Sequence, residues 1–426
     1  MDALPLLKIE EIQRFAPPKF RILAKVLRVE RRIGEKPSIL LKDATGFLNA
    51  RIATGIPLPK TGDWIQVEIY PLPSGFLVAQ WELAQKGAIP QGTKNWEKMA
   101  RGDWSLEGYW LLVKLIRLVR EFFLQRGYRE VITPSLIPYP SFDPNVVSIP
   151  VWLHMGKRKR KMYLATSPEY MMKMFLVSGE PRIFQICPVF RDGEWTPYHQ
   201  PEFWMCEWYT QGQDYLGLME DVEDLLIFLF ENLIGSRKLK IGDRIIAMEK
   251  PFDRITVREA FLRETGKDIA GIKTAEEWVK GFPAEKYPGW ENFSWEEWFF
   301  RIVGEHIEPK LGWKRPTFLM DFPARLGTMA KAKKDDPNIF ERCEVFVAGI
   351  ELGNGYTELT DWVEQRERFR KDKGRRKMPG EYLKALRVGI PPCAGFSLGL
   401  ERLVQVILHP APLASLLPFP LSDFLK

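Results

Sequence analysis

Two arginines and a handful of glutamates are the residues in this chain with types and spacing suited to chemistry. In residues 181–210, PRIFQICPVFRDGEWTPYHQPEFWMCEWYT, two apolar strand-like runs flank a polar loop of turn formers, the pattern of a long hairpin. Alternation along its second strand puts Phe203, Met205, Glu207 and Tyr209 on one face and Glu202, Trp204, Cys206 and Trp208 on the other. A carboxylate and a phenol two apart on one face, beside an aromatic ring, can hold a cation. Arg191 ends the first strand, where a guanidinium can grip a phosphate bidentately. Alone, the pattern also reads as an edge hairpin with a solvated arginine and a satisfied glutamate.

A second constellation lies in ERCEVFVAGIELGNGYTELTD, where Glu344, Glu351 and Glu358 recur at a spacing of seven with Asn354 and Tyr356 between the last two. Strict strand alternation would send these glutamates to opposite faces, so their convergence requires a bulge or loop between Gly349 and Gly355. Converging carboxylates without cysteine or histidine suit either Mg²⁺ held through a nucleotide's phosphates or a basic substrate. Near the end, AGFSLGLERLVQVIL reads as strand, glycine turn and helix, with Leu400, Leu403, Val404, Ile407 and Leu408 as the apolar stripe. Gly399 permits close approach of a ligand. Arg402, in the first turn, opposes the helix dipole and so anticipates an anion there.

The elements that must position these groups fall into two domains with a linker. Residues 1–90 read as all-β: FRILAKVL alternates, SILLKDATGFLNARI breaks at an Asp43–Gly46 turn, and GDWIQVEIY and GFLVAQWEL follow. Short strands separated by turns predict a small OB-like barrel. Its aromatics, Phe47, Trp64, Phe76 and Trp81, are either core or a stacking surface for single-stranded nucleic acid. Residues 91–102 lie in the linker, and 103–426 form the second domain, opening with the helix LEGYWLLVKLIRLVREFFLQ before Gly127. There Ser167 is expected as an N-cap, Pro168 at the first helical position and Glu169 in the first turn. Five basic residues, 157–161, are either a solvated hairpin tip or mobile loop, or a clamp on a polyanion. Residues 238–316 read as an irregular, Trp-rich helical insertion in which His306 is packed or at the surface.

Composition bounds the class. The 426 residues are 45% hydrophobic and 27% charged, as in a soluble globular protein of two or three domains, and no apolar run reaches membrane-spanning length. Cys187, Cys206, Cys343 and Cys393 have neither zinc-site nor disulfide spacing, which fits a reducing cytoplasm. The net charge of +7 mildly favours an anionic partner.

Taken in order, TPSL after a long helix, FRDGE, HQPEF, EWY and GLER resemble the three motifs of class II aminoacyl-tRNA synthetases. GIELGNGYTELTD resembles the lysine branch, and TSPEY, FQIC, ALRVGIPPC and LLPFP are similar to the elongation factor P–lysine (β-lysine) ligases. That resemblance implies an α+β fold with a class II antiparallel sheet and flanking helices, an ATP- and Mg²⁺-dependent step, and a homodimer. It implies a ligase activating lysine or (R)-β-lysine as the adenylate and passing it to a lysine of elongation factor P. A lysyl-tRNA synthetase charging tRNA, or a non-catalytic synthetase-like binding protein, are the alternatives.

By the same resemblance Arg191 and Arg402 are catalytic, Arg191 on the α-phosphate. Phe203 and Arg402 sandwich adenine, with Asp192, Gly193, His199, Gln200, Glu351, Leu352 and Gly399 also at ATP. Glu344 and Glu351 hold Mg²⁺. Ser167, Pro168 and Glu169 face the amino-acid substrate, Tyr209 and Glu358 receive its distal ammonium, and Glu207, Asn354, Tyr356 and Ser397 line its pocket. The chain departs from the family pattern at Gly193, with Glu194 one place late, at Gln200 for asparagine and at Glu401 for aspartate. Ser397 stands where the synthetases carry glycine and the ligases alanine. The N-terminal barrel, which the compact ligases lack, is the largest departure.

Overall fold

The computed structural model describes residues 6–14, 17–31, 35–143, 146–282, 287–327, 329–372, 374, 376–408 and 412–425. The chain divides into two units, Met1–Leu106 with Pro418–Lys426, and Glu107–Leu417.

The first unit holds helix α1 (Ile9–Arg14) and strands β1 (Phe20–Glu30), β2 (Ser38–Lys42), β3 (Phe47–Ile52), β4 (Trp64–Leu72) and β5 (Gly75–Gln85), closed into a barrel in the order β1-β2-β3-β5-β4. Alternation builds it: Phe20, Ile22, Ala24 and Val26 all point into the core. The β2–β3 turn is held by Asp43, whose carboxylate accepts from the Thr45 and Gly46 amides. Of the four aromatics in question, Phe76 and Trp81 pack against the core, while Phe47 and Trp64 are exposed. After helix α2 (Asn95–Arg101), the chain end returns to this unit: the Asp423 carboxylate accepts from the Asn95 amide at 2.6 Å, and Lys94 lies over the Phe424 ring. Residues 418–426 therefore belong with the barrel unit, not with the second domain to which the sequence reading gave them.

The second unit runs α3 (Glu107–Gln125), β6 (Arg129–Glu130), β7 (Leu136–Ile137), β8 (Pro150–Met155), β9 (Arg158–Leu164), α4 (Glu169–Phe175), β10 (Arg182–Phe190), β11 (Glu202–Gln211) and α5 (Tyr215–Ile234). It continues through β12 (Lys238–Ile241), β13 (Arg244–Ala247), β14 (Asp253–Thr256), α6 (Val257–Thr265), α7 (Ala275–Gly281), α8 (Trp295–Ile302), β15 (Thr317–Pro323), β16 (Ile339–Val347) and β17 (Ile350–Thr357). The last elements are α9 (Trp362–Asp372), α10 (Gly380–Val388), β18 (Cys393–Gly399), α11 (Leu400–Ile407) and α12 (Leu413–Leu416). Eight strands form one sheet in the order β14-β15-β16-β17-β18-β11-β10-β6, antiparallel except at its two edges.

One face of this sheet packs on α3, α5 and α11. Cys206, Trp208, Phe396 and Leu398 meet Phe123, Leu226 and Leu403 there, with the Trp208 ring 5.0 Å from those of Phe123 and Phe396. Of these, Cys206 and Trp208 lie on the β11 face that alternation gave them. A separate core of Phe261, Trp278, Trp295, Trp298 and Phe299 packs on Leu319, Phe322 and Phe346. The stretch 238–316 is not helical from its start. It opens with the hairpin β12–β13, turned at Gly242, and with β14, which joins the large sheet. The basic residues 157–161 run from the turn at Gly156 along the exposed strand β9, paired with β8.

Candidate functional site

The polar face of the sheet carries the site, and strand register assembles it. Glu207 on β11 pairs with Ser397 on β18, Ser397 with Asn354 on β17, and Asn354 with Glu344 on β16. One row of side chains thus crosses four strands. A register shift between Val345 and Phe346 leaves Leu352 as an extra residue in β17, which brings Glu351 onto the face of Glu344 and Asn354. Glu358 follows by alternation from Asn354 and Tyr356. Gly395, one row along, must be glycine: a Cβ there would lie 2.3 Å from the Tyr209 ring and 2.8 Å from Glu358 Oε1.

Two cavities share these walls, the larger about 450 Å³. On one side, Arg191, His199, Gln200, Phe203, Glu351, Leu352, Gly399 and Arg402 converge. The Arg191 guanidinium lies 5.1 Å from the centre of the Phe203 ring, and its Nε donates to the Thr166 carbonyl. Gly193, at φ +76°, turns the chain so that Glu194 pairs with Arg191 at 3.4 Å and lines the cavity. Arg402 donates to the Glu351 carbonyl and carboxylate, both at 2.9 Å, and bonds His199. Burial alone would raise the Glu351 carboxyl, but Arg402 outweighs it and holds the group below its usual range. Burial, reinforced by Arg402, lowers His199 and keeps it neutral. Such a surface suits a polyanion.

The other side is lined by Ser167, Glu169, Glu207, Tyr209, Asn354, Tyr356, Glu358 and Ser397. The Tyr209 hydroxyl donates to Glu207 and the Tyr356 hydroxyl to Glu169. Burial pushes the carboxyls of Glu207 and Glu358 up to about 8, and their mutual neighbour Glu169 adds to it. A cation entering here would relieve that repulsion. Lys173 already supplies one, paired with Glu169 at 2.6 Å and with Glu358.

Glu344 and Glu351 both line the larger cavity. Burial raises Glu344 to about 8 against the pull of Arg342, with Glu351 and Glu308 adding repulsion. Among the described residues, no group of three or more His, Cys, Asp or Glu side chains is placed to hold a metal ion. Two carboxylates under mutual repulsion fit an Mg²⁺ that takes its remaining ligands from phosphates and water.

Residues 110–423 match the family of class II tRNA synthetases (D, K and N). The chain belongs to that family. It is a class II ligase of the kind that forms aminoacyl-adenylates. It is 40% identical over 304 residues to the elongation factor P–(R)-β-lysine ligase homolog of Aquifex aeolicus (strain VF5), covering 70% of this chain and 95% of that protein. It is 31% identical over 328 residues to the lysine–tRNA ligase of Carboxydothermus hydrogenoformans (strain ATCC BAA-161 / DSM 6008 / Z-2901), covering 74% and 65% of the two chains. The lysine–tRNA ligase of Aquifex aeolicus is 31% identical over 321 residues, covering 73% and 53%. The match thus spans less than two thirds of either tRNA ligase.

Within this class II site, most residues singled out from sequence lie on the cavity walls. Asp192 and Gly193 do not; both are exposed, and the Asp192 amide bonds the Val147 carbonyl. Pro168 is also off the walls. Helix α4 starts one residue later than expected, at Glu169, so Pro168 precedes it and the Ser167 hydroxyl accepts from the Glu169 amide at 3.4 Å. Glu401, in place of the family aspartate, accepts from the Trp204 amide through both oxygens and ties α11 to β11. Sequence reasoning passed over Lys173, although Glu169 four residues earlier on one helix was a signal for it. Glu308, Phe299 and Phe300 of the Trp-rich region also reach the cavity, and no local pattern marks them. His306 is packed, bonded to the Tyr287 hydroxyl at 2.8 Å.

Proposed function

We propose that this class II ligase activates lysine or (R)-β-lysine with ATP and passes it to a lysine of elongation factor P. The observation that carries this reading is Ser397, whose side chain lines the amino-acid end of the cavity where the tRNA-charging branch has glycine. The match along 95% of an elongation factor P ligase homolog supports it.

The working unit in this proposal is a cytoplasmic homodimer, with ATP as substrate and Mg²⁺ as cofactor. Mg²⁺ would neutralise phosphate charge from Glu344 and Glu351. In the first step, the carboxylate oxygen of the amino acid attacks the α-phosphorus and the bond to pyrophosphate breaks. Arg191 stabilises the charge that builds on the α-phosphate, while Phe203 and Arg402 hold the adenine. Glu169 takes the amino group on the carboxylate side, and Glu207 with Tyr209 the distal ammonium. In the second step, the acceptor lysine's amine attacks the activated carbonyl. AMP leaves, the amine loses its proton and an isopeptide bond forms.

A lysyl-tRNA synthetase is the second reading, favoured by the closed N-terminal barrel. Offering elongation factor P and tRNA side by side, each with both lysine isomers, separates the two. Label on elongation factor P alone supports the proposal; label on tRNA alone replaces it with the second reading.

A further inference from the structure

Lys173 occupies the place where a ligand's ammonium would be expected, inside the amino-acid end of the site. It sits on α4 one turn after Glu169 and is only 2% exposed. Its Nζ lies 2.6 Å from Glu169, touches Glu358 and stands 5.1 Å from the centre of the Tyr356 ring. Met329 Sδ is 3.9 Å away. Burial works to strip its proton, but Glu169 and Glu358 outweigh burial, so Lys173 remains a cation.

That fixed cation changes the count of charges the pocket offers. Three carboxylates, those of Glu169, Glu207 and Glu358, face one another on α4, β11 and the end of β17. With Lys173 among them, the ionised set carries two negative charges beyond neutrality. A diamino acid whose carboxylate has become an anhydride with AMP presents two ammonium groups and no carboxylate charge. We infer that Lys173 is a positioning residue that holds Glu358 and trims the pocket's charge to match the two ammonium groups of a diaminoacyl adenylate. Glu358 is then a structural counter-ion, and Glu169 and Glu207 are the carboxylates left for the ligand. This inference rests on the proposed activation of a diamino acid.

Amino-acid-dependent ATP–pyrophosphate exchange tests it with lysine and (R)-β-lysine as probes. Lys173→Met leaves three carboxylates and no cation. Its KM for the amino acid should rise at least about tenfold, as expected when a buried charge loses its partner. Its KM for ATP should stay within about twofold, because the nucleotide side is untouched. Adding Glu358→Gln restores the count of two, and the paired variant should recover most of the lost affinity. An unchanged or lower amino-acid KM in Lys173→Met, or a paired variant no better than the single one, overturns the inference. Should the single variant fail to fold, the paired variant decides: a KM within about tenfold of wild type supports the charge match, and a larger loss refutes it. Wild-type protein that exchanges with neither diamino acid removes the proposed activity itself, a result distinct from failed rescue.

Discussion

Glu207 and Ser397 are direct partners across the β11–β18 pair, and the Ser397 hydroxyl donates to the Asn354 carbonyl on the next strand at 3.3 Å. The serine side chain therefore stands between the carboxylate that would take a distal ammonium and the strand that closes the pocket. Removing it should widen the pocket beside Glu207. Ser397→Gly is expected to raise kcat/KM for α-lysine relative to (R)-β-lysine. Equal ratios in variant and wild type would show that Ser397 does not set the isomer preference.

Arg191 is placed against Phe203 with Glu194 as its partner. Arg191→Ala should lower pyrophosphate exchange on the order of 10²-fold or more, as losing a donor to developing charge does. Melting temperature should change little, since the side chain is only partly buried and its partner can be solvated. Exchange near the wild-type rate would remove Arg191 from the chemical step.

The raised carboxyls set a pH dependence with a definite sign. Burial pushes the Glu207 carboxyl up to about 8 in the empty pocket, which favours its protonated form at pH 7. Binding an ammonium needs Glu207 ionised, so the amino-acid KM should fall as pH rises from about 6.5 to 8.5. Stability of the ligand-free protein should move the other way. A carboxyl whose folded value lies above its unfolded one contributes stability that is present at low pH and lost as pH rises through the folded value. Glu207, Glu344 and Glu401 all belong to that class. Thermal melting should therefore weaken as pH rises from about 4.5 to about 8, with bound amino acid recovering part of the loss; a flat profile would contradict the assignment.

Much of this site was legible because sheets obey alternation. The face carrying Phe203, Met205, Glu207 and Tyr209 follows from a period of two, and so does the opposite face buried with Cys206 and Trp208. Even the bulge near Leu352 follows from asking three glutamates to meet. What the pattern hides is contact made by packing. Lys173 looked like one more helical lysine, because nothing local says that Glu358, far along the chain, closes over it. Likewise Phe299 and Glu308 reach the cavity only because the Trp-rich core docks on β15 and β16. The hairpin β12–β13 was missed for a different reason. Lys238–Ile241 does alternate exposed and buried side chains, but four residues are the least that alternation can mark, and its partner Arg244–Ala247 does not alternate.

Gly395 offers a test of the packing itself. Gly395→Ala would drive a methyl into the Tyr209 ring and toward Glu358. The ring must shift, at a cost of about 1–3 kcal/mol in stability typical of overpacking. Amino-acid KM should rise while ATP KM holds, measured by exchange kinetics on protein shown to be folded. A larger effect on ATP than on amino acid would place Gly395 outside the amino-acid pocket.

The central claim is that buried carboxylates read a second ammonium on the amino acid being activated. ATP–pyrophosphate exchange by the wild-type protein with lysine, (R)-β-lysine and norleucine measures this directly, since norleucine keeps the four side-chain carbons of lysine and lacks the distal ammonium. Strong exchange with at least one diamino acid and almost none with norleucine is the predicted result. Norleucine exchanging as well as lysine, or neither diamino acid exchanging at all, would contradict it.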